Sequence, residues 1–242
     1  MEYDFAILYF GMTRSIRKVY HTHIQHIYET LDRHNMTYKR FIHTWKTEDG
    51  SQNAFFDMLP QKIDYEEHNL LSPDIYKIDN ETDFIEELDM ADYFNKELFE
   101  KYGDCPEGDW YPQLIQNYIC MLESQKRGFS MVKDCVLNGD RFKYVMFIRP
   151  DIWIDQPLPI DNLVLNEDTI NMPNHSHWGG LNDQFYIMSY ENACLFTQRR
   201  DELKEYRKNV GRIAAEFYCK YVVEKHKLKV NEIFFNYTIT RP

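Results

Sequence analysis

An α/β fold with a mixed, mostly parallel central sheet flanked by helices is predicted by three features of the sequence. The run "YDFAILYF" (3–10) is almost wholly apolar or aromatic, and so is "YVMFI" (144–148). Unbroken apolar runs suit strands covered on both faces, as in the middle of a parallel sheet. The third feature comes directly after the first run. Ile16, Val19, Tyr20, Ile24, Ile27, Tyr28 and Leu31 recur at steps of three and four, the stripe of an amphipathic helix, and "KRFIHTW" (39–45) then reads as a second strand. Strand, helix, strand implies a parallel pair joined by a right-handed crossover.

The remaining elements are read in order. Gly11 closes the first strand, and Thr13 or Ser15 is placed to cap the helix. Residues 46–62 carry turn formers and read as a loop, 73–79 as a third strand, and 81–101 as helical. A long helix is predicted over 112–137, stopped at Asn138–Gly139. Strands are expected at 142–148, 152–154, 168–172 and 184–189, with a loop over 173–183. Helices are expected at 190–207 and 212–226, and "NEIFFNYTI" is read as a closing helix. One α/β domain over 1–242 results, with parallel βαβ units first and a more irregular second half.

Composition narrows the function. With 43% hydrophobic and 16% aromatic residues the chain can fill a large core. No apolar run approaches the ~20 residues of a membrane helix. The start "MEYDFAILYFG" has neither a basic flank nor a small-residue cleavage site, so it reads as a strand and not a signal peptide. Five cysteines without a C-x-x-C pair suggest neither a disulfide framework nor zinc, and a reducing, cytoplasmic setting is expected. The net charge of −11 argues against nucleic-acid binding. It also means that a phosphate ligand needs a metal or a local basic pocket.

Candidate site residues sit where predicted strands end, the edge at which open α/β sheets bind ligands. In "YVMFIRPDIWID" the apolar run stops at Arg149, Pro150 and Asp151. Asp151 and Asp155 lie roughly 13 Å apart in an extended chain, too far for one ion, so Asp151 is the candidate and Asp155 a surface acid. A plain turn with an Arg149–Asp151 salt bridge is the competing reading. Gly11 lets a ligand approach the backbone, helix amides attract phosphate, and Arg14 adds a charge-assisted donor. The segment is neither a dinucleotide fingerprint nor a P-loop, and a simple strand–helix turn remains open. His43, Thr44 and Trp45 would emerge on the same edge, as ligand contacts or as packing. "HSHWGGLNDQF" combines a flat indole at Trp178, the permissive Gly179 and Gly180, and polar Asn182 and Asp183, a mix that suits carbohydrate; an ordinary surface loop is the alternative. His21 and His23 point about 200° apart on a helix and make no facial metal site.

Taken together, "ILYFGMTRS", "FIHTW", "YVMFIRPDIWI", "GGLNDQFYIMS" and "NEIFF" resemble a family of predicted glycosyltransferases from large DNA viruses and bacterial surface-polysaccharide loci. The resemblance implies a GT-A-like, Rossmann-like nucleotide-diphosphosugar transferase acting on a glycan or glycoprotein acceptor, with a divalent metal (Mn2+ or Mg2+). It implies Gly11 and Arg14 near the nucleotide, Asp151 at the diphosphate or metal, and Asn182 and Asp183 near the sugar; by their positions His43 and Arg149 are added on the nucleotide side, and Trp178, Gly179 and Gly180 on the sugar side. From its place at the mouth of a strand, after a glycine-bearing loop, Asp183 is expected as general base; Glu232 matches a recurring family glutamate of unassigned role. The family's usual metal motif is D-x-D; here Arg149-Pro150-Asp151 stands in its place, which leaves metal independence open. A metal-dependent phosphoesterase and a non-catalytic glycan-binding protein are the competing classes.

Overall fold

The structure, a computed structural model, describes residues 1–47, 64–105 and 107–241, so most of the loop expected at 46–62 lies outside the described residues. Strands β1 (Glu2–Phe10), β2 (Tyr38–Lys46), β3 (Ile75–Asn80), β4 (Arg141–Ile148), β6 (Thr169–Pro173), β7 (Phe185–Ser189) and β8 (Lys229–Ile233) form one sheet in the order β3-β2-β1-β4-β7-β6-β8. Strands β3, β2, β1 and β4 run parallel; β7 is antiparallel to both β4 and β6, and β8 is parallel to β6. A separate antiparallel pair joins β5 (Ile152–Ile154) to β9 (Tyr237–Ile239).

The apolar runs have the cause inferred from the sequence. Alternate residues of β1 serve two cores: Ala6, Leu8 and Phe10 face one, and Phe5, Ile7 and Tyr9 the other. In β4, Val145 and Phe147 face the first core and Met146 and Ile148 the second. The first core is closed by the long helix α5 (Pro112–Leu137), through Ile115, Ile119, Leu122, Phe129 and Val132. Helix and sheet approach so closely at Gly128 that an added Cβ would lie 2.6 Å from a Leu8 methyl. The second core is closed by α1 (Ile16–His23) and α2 (Glu29–Arg33), which a π-helical turn, Ile24–Tyr28, joins into one rod. Its apolar face carries the Ile16, Ile27, Tyr28 and Leu31 of the predicted stripe.

The helix expected over 81–101 is three short pieces, among them α3 (Glu81–Glu86) and α4 (Lys96–Tyr102), each of these two started by an asparagine whose side chain caps it. The helix expected at 190–207 divides into α6 (Tyr190–Phe196) and α7 (Arg199–Asn209), and α8 (Ala215–Lys225) follows. One expectation fails outright. "NEIFFNYTI" is not a helix but parts of two strands, β8 and β9. Its alternating residues fit either period over so short a span, and Ile233, Phe235 and Tyr237 all point into the second core, as extended chain allows.

Candidate active site

The sheet order creates the site. From β1 the chain continues to β2 on one side, while β4 lies against β1 on the other. Strand order therefore reverses between β1 and β4, and ligands of open α/β sheets bind beyond the carboxyl ends at such a point. Tyr9 is in register with Ile148, so the residues after these strands, Gly11 and Arg149, emerge side by side. Because β7 is antiparallel to β4 and Ile148 pairs with Phe185, β7 begins where β4 ends, and this brings Asp183 and Gln184 to the same edge. The Arg149 amide donates to the Gln184 carbonyl at 3.1 Å and extends the pairing.

A cleft of about 500 Å³ opens here. Gly11, Arg14, Arg149, Asp151, Asp183 and Arg241 line it together with Glu81, Trp45, Trp110 and Glu216, and α5 contributes Gln113, Asn117 and Met121 from successive turns.

Cations converge on one carboxylate. Arg149 holds Asp151 bidentately, Nε to Oδ1 at 2.9 Å and Nη2 to Oδ2 at 2.7 Å. Arg14 and Arg241 approach Oδ2 at 3.6 and 3.5 Å. Asp151 is 1% exposed. Burial alone would raise its pKa; Arg149, then Arg14 and Arg241, hold it instead at about 2. The Arg241 guanidinium is drawn down to about 10 by burial and by the neighbouring Arg149. Three guanidiniums thus gather around one carboxylate, in a chain whose net charge is −11, and Glu81 acts on Arg14 as well.

A resident divalent ion does not fit this donor set. Both Asp151 oxygens are committed to Arg149, with two more guanidiniums beside them. Among the described residues no group of three or more His, Cys, Asp or Glu side chains is placed to hold a metal.

Two further carboxyls line the cleft. Asp183 is 4% exposed; burial raises its pKa, against the pull of Arg199 and Arg149. Glu216, in the first turn of α8, rises to about 7 through burial and repulsion from Asp183. A tight backbone contact holds the two segments together. The Leu181 amide donates to the Glu216 carbonyl at 2.9 Å, and a Cβ on Gly180 would sit 2.1 Å from that oxygen. Gly180→Ala is therefore expected to cost about 1–3 kcal/mol of stability by overpacking, read as a lower urea midpoint, and to disturb both carboxyls at once.

The other predicted residues occupy different places. Gly11, at φ +93°, lies on the cleft, but its amide donates to Ser124 Oγ at 2.8 Å. His43 is fully buried behind it, with Nδ1 2.8 Å from the same hydroxyl and Nε2 3.2 Å from Asp79. Burial holds the ring to a pKa of about 4 and hence neutral. The ring is held between Ser124 Oγ and Asp79, and the Ser124 hydroxyl donates to the His43 carbonyl at 3.0 Å, so His43 braces the turn at Gly11 and does not line the cleft. Asn182 is also turned inward. Its Nδ2 donates to the His175 carbonyl and the Tyr237 hydroxyl, and its Oδ1 accepts from the amides of Gln184 and Phe185. Trp178 is 76% exposed, and neither it nor Gly179 nor Gly180 lines the cleft. Glu232, on β8, stands 3.6 Å from His177 Nε2, outside the cleft.

Sequence reasoning misses Arg241, Glu216 and the α5 face. Arg241 is hidden when the C-terminal segment is read as helix, whereas Thr240 donates its amide to the Asp151 carbonyl at 2.7 Å and sets Arg241 beside that carboxylate. Compared with known protein families and with curated proteins, the sequence finds no match.

Proposed function

We propose that this protein is a glycosyltransferase of GT-A type that moves a sugar from a nucleotide-diphosphosugar to a hydroxyl of a glycan or glycoprotein. The observation that carries the reading is one switch-point cleft lined both by the guanidiniums of Arg14, Arg149 and Arg241 and by the carboxyls of Asp183 and Glu216. The order of motifs that resembles the glycosyltransferase family supports it further.

The chemistry rests on those parts. The acceptor oxygen attacks the anomeric carbon as the bond from that carbon to the phosphate oxygen breaks. Charge grows on the departing diphosphate, and preorganised guanidiniums in a partly dehydrated cleft stabilise it without rearranging. The acceptor's proton passes to Asp183, whose pKa burial raises, the direction in which a carboxylate becomes a stronger base. Trp110, partly exposed, supplies aromatic surface, and the α5 amides supply donors and acceptors for uncharged parts of the ligands.

The clustered carboxylates that a two-metal phosphoesterase requires are absent among the described residues, which favours transfer over metal-assisted hydrolysis. A non-catalytic glycan binder would have no need of the guanidinium cluster. Titration with uridine and guanosine diphosphates is expected to raise the melting temperature of the wild-type protein by mass action for at least one of them. Arg14→Ala is expected to weaken that binding by about 1.5–3 kcal/mol, the worth of a charge-assisted hydrogen bond. A melting temperature indifferent to every nucleoside diphosphate would remove the reading.

A further inference from the structure

We propose that Arg14, Arg149 and Arg241 form a metal-free clamp for a diphosphate-class anion, with Asp151 as the post that holds the clamp open and Arg241 as the jaw brought in by the C-terminal strand. The inference deepens the proposed glycosyl-transfer reading by assigning the neutralising charge to protein cations alone.

Each member reaches the site from a different segment. Arg14 comes from the turn between β1 and α1, Arg149 from the end of β4, and Arg241 from the residues after β9. Burial first, and then repulsion from Arg149, draws the Arg241 pKa down, and Asp151 pulls the other way. Asp151 spends both oxygens on Arg149 and stands off Arg14 and Arg241 at 3.6 and 3.5 Å, beyond good hydrogen-bond length. An anion entering the cleft would meet the Arg241 guanidinium, which Asp151 leaves without a close hydrogen bond, with Arg149 and Arg14 beside it. A cation entering instead would face three guanidiniums.

Arg241 is held in place by the fold. Strand β9 pairs with β5, Ile152 opposite Ile239, and Thr240 extends the pairing to the Asp151 carbonyl. Lys18, on α1, donates Nζ to the Arg241 carbonyl at 3.2 Å. The β5–β9 pair is thus a small platform beside the main sheet that sets one cation over the phosphate end of the cleft. It also accounts for the Arg-Pro-Asp sequence after β4. An aspartate serving as the post needs an arginine two residues away to lock it, where a metal ligand needs its lone pairs free.

Inorganic pyrophosphate is the probe, titrated by calorimetry into wild-type protein, Arg241→Gln and Arg241→Lys, each with excess EDTA and with excess Mn2+. The wild type should bind pyrophosphate equally with and without chelator, and uridine or guanosine diphosphate should compete with it. Arg241→Gln should bind about 10-fold more weakly or worse, while Arg241→Lys recovers part of the loss through charge alone. Circular dichroism melts check that each variant is folded. Binding that requires Mn2+ would overturn the clamp and leave glycosyl transfer standing. Full affinity in folded Arg241→Gln would overturn the role of Arg241, and no binding by the wild type would overturn the site. Pyrophosphate bound in chelator, with no sugar nucleotide ever turned over, would keep the clamp and remove the transferase.

Discussion

Asp151→Asn is expected to destabilise the protein by about 3–5 kcal/mol, because removing one partner from a buried ion cluster leaves the other charges uncompensated. Asparagine keeps the size and loses the charge, so the Arg149 guanidinium would lose its bidentate carboxylate and Arg241 its nearest counter-charge. The expected pH dependence is equally definite. Asp151 has a folded pKa of about 2, below the ordinary aspartate value of 3.8. A depressed carboxyl pKa gives stability that is fully present above the unfolded value and is lost as pH falls through the folded one. The gap between wild type and variant should therefore be full near neutrality and shrink by about 2–3 kcal/mol between about pH 4 and pH 2. Urea unfolding across that range measures it. A carboxylate whose purpose was to ligate a metal would show little difference in chelator at neutral pH.

The second large effect is expected on turnover. Asp183→Asn should lower the transfer rate by about 10²–10⁴ with donor affinity little changed, if Asp183 accepts the acceptor's proton. Loss of donor affinity with turnover preserved at saturation would make Asp183 a binding residue instead. Glu216 supplies a finer test, since it titrates at about 7 through burial and through repulsion from Asp183. Glu216→Gln should move the acid limb of the pH–rate profile to lower pH, because Asp183 loses a neighbour whose charge resists its ionisation. Stability should respond in the opposite sense to Asp151. A raised carboxyl pKa means the folded state holds its proton longer, so stability falls as pH rises from the ordinary glutamate value of 4.5 through about 7. Glu216→Gln should then melt higher than wild type above neutrality and show no gain near pH 4.

The strands of the parallel half are legible in the sequence because each lies between two cores. Phe5 to Phe10 and Val145 to Ile148 leave no room for a polar residue on either face, so each appears as an unbroken apolar run. The edge of the sheet is legible for the related reason that Gly11 and Arg149-Pro150-Asp151 interrupt those runs. What those residues do there is harder to read. His43 lies one pleat short of the edge, where only the three-dimensional placement of Ser124 and Asp79 shows that it braces Gly11. Asn182 and Asp183 are adjacent in sequence, but adjacent residues entering a strand point opposite ways: Asn182 turns in to Tyr237 and Asp183 out to the cleft. Arg241 and Glu216 are long-range partners of Asp151 and Asp183, about 90 and 30 residues away along the chain, and local periodicity carries no sign of such pairings. The C-terminal segment reads wrongly as helix because a five-residue and a three-residue strand are too short to establish a period.

The most direct test of metal-free glycosyl transfer is product analysis. Wild-type protein is incubated, in EDTA, with a panel of uridine- and guanosine-diphosphate sugars and hydroxyl acceptors, and glycosylated product and released nucleoside diphosphate are quantified together by mass spectrometry. At least one donor is expected to give product and nucleoside diphosphate in equal amounts, undiminished by chelator and abolished by Asp183→Asn. Nucleoside diphosphate released at the same rate without an acceptor, or no turnover of any donor by a folded protein that binds none of them, would contradict it.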